Sequence, residues 1–174
     1  MKLPISRKKS IFRNLYPRSF SPSSYEIDYE GLYSKGYRGI IFDIDNTLVG
    51  HDKPATKDAI ELAGKLKNTG FKLMIVSNND EPRVKTFADA LGIPYVYKAH
   101  KPSKDGYLKA IEMMGTEKKT TLAIGDQLIT DIWGANRAGI FNIRVKPMYK
   151  EEPPKIVFKR KLERIIMWFY RHEK

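Results

Sequence analysis

Asp43 and Asp45 stand two residues apart at the end of a short apolar run, Ile40-Ile41-Phe42, inside the stretch Gly39 to Gly50 (GIIFDIDNTLVG). Residues two apart in an extended chain project to the same side, so both carboxylates address one place. Acids at the end of a buried strand are tolerated where a cation or a reaction uses them. The alternative is an acidic turn whose two carboxylates are merely solvated. Paired carboxylates are the residue types for nucleophilic attack by one group and proton transfer by the other. A hydroxyl follows them at Thr47.

The rest of the chain supplies groups that complete a pattern. Asp43-Ile44-Asp45-Asn46-Thr47 resembles the first motif, DxDxT, of the haloacid dehalogenase superfamily of phosphohydrolases. The strand Phe71 to Val76 ends in Ser77-Asn78-Asn79, similar to the second motif's strand-terminal Ser or Thr. Lys101-Pro102 resembles the motif-three lysine. Gly125-Asp126 with Asp131, after the strand Thr121 to Ile124, resembles the GDxxxxD of motif four. The four occur in the expected order, over roughly residues 30 to 150. The words DIDNTLV, VSNN with Arg83-Val84 nearby, LGIPYVYKAHKP and IGDQLITDIWGANRAG further resemble the YqeG-like group of subfamily IIIA phosphatases. The chain is also similar to the mitochondrial and plastid phosphatidylglycerophosphate phosphatases. The loop Gly50 to Pro54 departs from the pattern, and no role is carried over to it.

The resemblance implies a set of roles. Asp43 is the nucleophile that forms an aspartyl phosphate. Asp45 protonates the leaving oxygen and then deprotonates water; an acid at this position favours a phosphatase over a dehalogenase. Mg²⁺ is expected between Asp43, the backbone carbonyl of Asp45 and Asp126, with Asp131 a further acid on the metal side, direct or through water. Thr47, Ser77 and Asn78 are candidate phosphate contacts, and Lys101 offsets the charge of the nucleophile and the transferring group. Structural alternatives stand beside each: Ser77 capping a turn, Thr47 closing its loop, Lys98 or Lys104 in place of Lys101. Asn78, Asn79, Asn136 and Arg137 are open between substrate contact and turn or capping roles. His51, His100 and His172 carry no assignment.

These residues need elements to hold them. Ala59, Ile60, Ala63 and Leu66 repeat at helical spacing over about 55–68, with Pro54 early and Gly70 as the stop. Asp80 is a candidate N-cap, with Pro82 in the first turn, for a helix carrying Val84, Phe87, Ala88 and Leu91 that ends at Gly92. Ile93 to Tyr97 reads as a short strand. Ser103 can cap a helix with Tyr107, Ala110, Ile111 and Met114. A last helix spans about Thr130 to Ala138, followed by a strand Phe141 to Val145. Alternating β and α with apolar strands implies an α/β, Rossmann-like three-layer α/β/α sandwich on a parallel sheet. The resemblance implies strand order 5-4-1-2-3, with motif one central. Ligands of such sheets sit outside the carboxyl ends of the strands, where Asp43, Ser77, Lys101 and Asp126 all fall. Neither inter-motif stretch has room for a cap domain, so the site should be open and suited to a bulky substrate.

The 174 residues suit one folded core. The chain contains no cysteine, which excludes disulfides and thiolate metal sites and is easiest to reconcile with the cytosol. No apolar run reaches membrane-spanning length, and the N-terminus lacks the apolar stretch of a secretory signal. The net charge of +12 is concentrated at the two ends. Residues 1–20 hold six basic residues and no acid, residues 155–174 hold seven against two, and the middle is close to neutral. The expected organisation is a basic N-terminal arm over 1–36, irregular because of Pro4, Pro17 and Pro22, a phosphatase core over 37–150, and a basic amphipathic helix over 151–174. In that helix Phe158, Leu162, Ile165 and Phe169 share one face, Ile166 and Trp168 flank it, and Arg160, Arg164 and Arg171 lie opposite. This is the pattern of a helix in a membrane interface; a helix packed on its own core is the alternative. The expected protein is therefore a Mg²⁺-dependent phosphatase acting on phosphatidylglycerophosphate, cytoplasmic and peripheral to the inner face of an anionic membrane, with no nucleic-acid partner. The other readings are a phosphatase for a soluble or polymeric substrate and a non-catalytic membrane- or RNA-associated binding protein.

Overall fold

Every residue of the strand that leads into Asp43 is buried, and the rest of the architecture follows from covering it on both faces. The computed structural model describes residues 12–149 and 154–172. In chain order the elements are β1 (Ser19–Ser21), α1 (Tyr29–Ser34), β2 (Gly39–Phe42), α2 (Lys57–Thr69), β3 (Lys72–Val76), α3 (Glu81–Leu91), β4 (Tyr95–Val96), α4 (Asp105–Met114), β5 (Thr121–Gly125), α5 (Trp133–Ala138), β6 (Phe141–Val145) and α6 (Pro154–His172). All strand pairs are parallel, in the order β1-β6-β5-β2-β3-β4. The five strands read from the sequence keep the expected order, with the motif-one strand β2 between β5 and β3.

Because side chains alternate along a strand, β2 feeds two cores. Ile40 and Phe42 pack with Leu66, Val84 and Phe87 beneath α2 and α3, while Ile41 joins Met74, Tyr107, Ala110 and Ala135 beneath α4 and α5. Between β2 and β3 the described chain holds only α2, and between β3 and Lys101 only α3 and β4, so no cap domain is inserted.

Three details differ from the sequence reading. Residues 12–36 are not irregular. They supply the edge strand β1, which pairs Ser19 with Ile143 and Ser21 with Val145, and the short helix α1. Three strand residues carry no periodic signal; long-range contacts fix them, chiefly buried Asn142, whose Oδ1 accepts the Arg18 N–H at 3.0 Å. Second, α2 begins at Lys57 rather than at 55, because Thr56 accepts the Ala59 N–H and caps it. Third, the last core helix opens with a π-turn, Leu128–Ile132, before α5.

The C-terminal helix forms as expected, but its buried side is not the predicted apolar face. Ile166 packs with Leu128 and Ile132, with Phe12, Leu15, Tyr16 and Met167 around them. Rings from the arm reach the same helix: Phe12 against Phe169 and Tyr16 against Tyr170. Phe158, Leu162, Ile165 and Trp168 remain exposed, Phe158 at 73%. Arg160, expected on the solvent side, is turned into the molecule. Residues 1–11 and 150–153, which include part of the expected arm and the start of the expected terminal segment, lie outside the described residues.

Candidate active site

Asp43 leaves β2 at the carboxyl edge of the sheet, its N–H still bonded to the Ile124 carbonyl of β5 at 3.0 Å. The chain then turns sharply. Asn46 adopts a positive φ of 60°, its N–H reaches the Val49 carbonyl, and Leu48 N–H returns to the Ile44 carbonyl. This turn sends the two acids to different neighbours. Asp43 faces Asp126 and Asp131, whereas the Asp45 carboxylate accepts from Asn79 Nδ2 at 2.6 Å, Arg83 Nη2 at 3.0 Å and the Asp52 N–H at 3.0 Å.

Asp43, Asp126 and Asp131 each offer a carboxylate oxygen, and these oxygens lie within 4.8 Å of one another. Asp126 follows β5 and is fully buried; Asp131 sits on the π-turn, with its Oδ2 accepting the Gln127 N–H at 3.0 Å. Gly125 is required at the junction: a Cβ there would overlap the Asp131 side chain. The Asp45 carboxylate is not part of this trio and instead neighbours His51 and Asp52.

Lys101 joins the trio from the loop after β4. Its Nζ donates to Asp43 Oδ1 at 2.6 Å and Asp131 Oδ1 at 2.7 Å, and its side chain is almost completely buried. Neither Lys98 nor Lys104 takes that place: Lys98 pairs with Asp80, and Lys104 precedes α4. Asn78, open between substrate contact and a turn or capping role, bonds the lysine's backbone with both ends of its amide. Its Oδ1 accepts the Lys101 N–H at 2.7 Å and its Nδ2 donates to the Lys101 carbonyl at 3.1 Å. Ser77 is buried and its Oγ accepts the Asn79 N–H, the turn-capping geometry, which leaves the hydroxyl proton available as a donor. The Thr47 hydroxyl reaches Asp126 Oδ1 at 3.5 Å.

The electrostatics reflect three carboxylates packed with little water. Burial pushes Asp43 up to about 7 against the lowering influence of Lys101, with Asp131 and Asp45 adding to the rise. Asp126 is raised well above the ordinary carboxylate range, first by burial and then by Asp131 and Asp43, with Arg160 opposing. Burial works against a charged Lys101, yet the charges of Asp131 and Asp43 together hold its pKa well above the usual value.

Several residues at the site were not found from the sequence. Arg160 and Glu163 come from α6 and Arg144 from β6. Arg160 pairs with Asp126 Oδ2, Arg144 Nε donates to the Asp126 carbonyl at 3.0 Å, and Glu163 Oε1 accepts the Leu128 N–H at 2.7 Å. The signal available was Glu163 itself, the one acid between Lys155 and His172. Asn79 and Arg83 hold Asp45. Asn136, a candidate substrate contact, donates to the Asn14 and Tyr16 carbonyls and accepts from Asn142, which makes it a clip for the arm. Arg137 donates to the Pro102 carbonyl.

A family model for haloacid dehalogenase-like hydrolases matches residues 51–139, a stretch that includes Ser77, Lys101, Asp126 and Asp131 and begins after the Asp43–Asp45 pair. The chain is 42% identical over 152 residues to "Probable phosphatase YqeG" of Bacillus subtilis, covering 87% of this chain and 88% of that protein. The chain belongs to the haloacid dehalogenase-like hydrolases. Within that family its similarity to the Bacillus subtilis protein supports a phosphatase. It is also 30% identical over 160 residues to "Phosphatidylglycerophosphate phosphatase 1, chloroplastic" of Chlamydomonas reinhardtii, covering 84% of this chain and 59% of that longer protein. A haloacid dehalogenase-superfamily hydrolase from Ehrlichia chaffeensis shares the fold at 18% identity, with a TM-score of 0.54 over 74% of this chain and 97% of that one.

Proposed function

We propose that this phosphatase removes the terminal phosphate of phosphatidylglycerophosphate, with Mg²⁺, at the surface of an anionic membrane. The observation that carries the phosphatase chemistry is Lys101 bridging Asp43 and Asp131 beside buried Asp126, with Asp45 held apart from them. Three carboxylates this close, two of them buried, fit a hard divalent cation with oxygen ligands. Lys101 and Arg160 leave one of their negative charges unbalanced.

In the proposed reaction an Asp43 oxygen attacks phosphorus and the ester P–O bond breaks. The leaving oxygen takes its proton from Asp45, and the aspartyl phosphate remains. Water then attacks phosphorus with its proton passing to Asp45, which releases inorganic phosphate and restores Asp43. Asn79 and Arg83 fix the Asp45 carboxylate on the leaving-group side, so one group serves both half-reactions. Lys101 stays charged and offsets the anion gathered on the phosphoryl oxygens, and the Ser77 hydroxyl donates to one of them. Asp43, Asp126 and Asp131, with the Asp45 carbonyl, would hold Mg²⁺, which would supply charge neutralisation there.

The lipid substrate is supported by the similarity to the chloroplast enzyme, by the lack of a cap domain and by α6. That helix exposes Phe158, Leu162, Ile165 and Trp168 among basic residues, and its one acid is buried. A bilayer with anionic headgroups fits such a face. The proposed attachment is peripheral, from the cytoplasmic side; no described helix is long and apolar enough to cross a membrane. The test is phosphate release from phosphatidylglycerophosphate in mixed micelles, with Mg²⁺ and with EDTA, beside glycerol 3-phosphate and an aryl phosphate. Turnover of the lipid that is lost in EDTA and in Asp43→Asn is the expected result. Turnover of the aryl phosphate alone would keep the chemistry and overturn the substrate.

A further inference from the structure

The hydrolytic chemistry accounts for Lys101 and the acids, but it leaves a second cation at the same carboxylates. Arg160 reaches from α6 to Asp126. One guanidinium nitrogen pairs with Asp126 Oδ2, and Nη1 donates to the Asp126 carbonyl at 3.1 Å and to Glu163 Oε2 at 3.1 Å. Glu163 is 2% exposed and also accepts from Arg144 Nη2 at 2.9 Å and from the Leu128 N–H at 2.7 Å. Three residues further along α6, Ile166 closes over Leu128 and Ile132. The helix is thus fastened by an apolar anchor and a buried ionic cage, and one bar of that cage lies on a carboxylate of the metal-holding trio.

We infer that Arg160 is a built-in counter-cation that holds Asp126 while no metal is bound and is displaced from it by Mg²⁺, so that α6 is latched to the site in the metal-free protein and loosened by metal. The inference rests on the reading of Asp43, Asp126 and Asp131 as the metal site. A fully buried carboxylate without a partner is strongly disfavoured, so in the absence of metal Asp126 retains the guanidinium. Once Mg²⁺ is present, it, Lys101 and Arg160 bring four positive charges to three carboxylates, and the guanidinium and the metal repel at the one Asp126 carboxylate they both address. Lys101 cannot be the group that yields, since it is shared by two acids and pinned through its backbone by Asn78. Arg160 is held from the outermost element, and its helix keeps the Glu163–Leu128 bond and Ile166 as a hinge when it lets go.

Two measurements on the full chain decide this. Calorimetric titration with Mg²⁺ should show Arg160→Gln binding the ion at least about fivefold more tightly than wild type, the lower end of an ordinary coupling between two ligands of one site. Hydrogen exchange on the wild-type protein, which needs no variant to fold, should show faster exchange of α6 amides on adding Mg²⁺ while those of β2 and β5 do not quicken. Equal or weaker Mg²⁺ binding by Arg160→Gln overturns the inference, and so does an α6 whose exchange is unchanged or slowed by the ion. A wild-type chain that takes up no Mg²⁺ removes the metal reading itself, and this inference with it.

Discussion

Asp43 places a carboxyl group where the fold disfavours its charged form, and the consequence is measurable without substrate. Burial holds its proton in the folded, metal-free protein up to about pH 7, whereas the unfolded chain releases it near the ordinary aspartate value of 3.8. Between these values the folded state binds more protons, so this group's contribution to stability is complete below the lower value and disappears as pH rises through the higher one. Asp126 is raised in the same direction and adds to the loss. In EDTA, therefore, Asp43→Asn should be more stable than wild type at pH 7.5 by at least about 1 kcal/mol. Thermal denaturation should show that advantage shrinking towards pH 4; an advantage that does not vary with pH would remove the explanation. The same substitution should abolish turnover. Asn78 makes a different prediction, because its amide grips the Lys101 backbone. Asn78→Ala should lower kcat roughly 10- to 100-fold through misplacement of the lysine, with little change in KM. A rise in KM at constant kcat would instead restore Asn78 as a direct phosphate contact.

Elements were readable from sequence where a local signal coincided with their tertiary role. β2 is apolar at every position, α2 and α3 carry their buried residues at helical spacing, and Gly70 and Gly92 stop them in left-handed conformations. The five central strands and the placement of Asp43, Ser77, Lys101 and Asp126 at their carboxyl ends followed from those signals and from the family resemblance. β1 could not be read this way. Three residues flanked by prolines have no period, and their place beside β6 is fixed by Asn142, 124 positions from the Arg18 N–H it binds, and by Asn136, 122 and 120 positions from the Asn14 and Tyr16 carbonyls. Asn142 is wholly buried and uses both ends of its amide, one on the Arg18 N–H and one on Asn136 Oδ1. Asn142→Ala should leave those groups without partners and cost about 1–3 kcal/mol. Chemical denaturation measures it, and a neutral result would mean that the arm is held by its rings alone.

Across the whole molecule, the described part of the arm meets the terminal helix, since Phe12 and Tyr16 pack against Phe169 and Tyr170 of α6. The amphipathic pattern of the terminal helix was visible in the sequence, but which side faces the protein was not. A helical wheel ranks faces by apolarity, whereas here a buried Glu163 with two arginine partners outweighs a row of large apolar side chains. Packing and surface roles are therefore divided between faces, and the division can be tested. Ile166 is the packed residue, and Ile166→Ala should cost about 2–5 kcal/mol as a core truncation. Phe158 and Trp168 are more than half exposed, so the double change Phe158→Ser, Trp168→Ser should leave stability within about 0.5 kcal/mol of wild type. On vesicles rich in anionic phospholipid the same double variant should partition at least about tenfold more weakly, because two rings no longer enter the interface. Wild-type vesicle binding should also fall as salt is raised, through the basic residues that flank those rings. Equal partitioning of wild type and double variant would show that charge alone holds the protein to the vesicle, and would leave the exposed row on α6 without a part in reaching a lipid substrate.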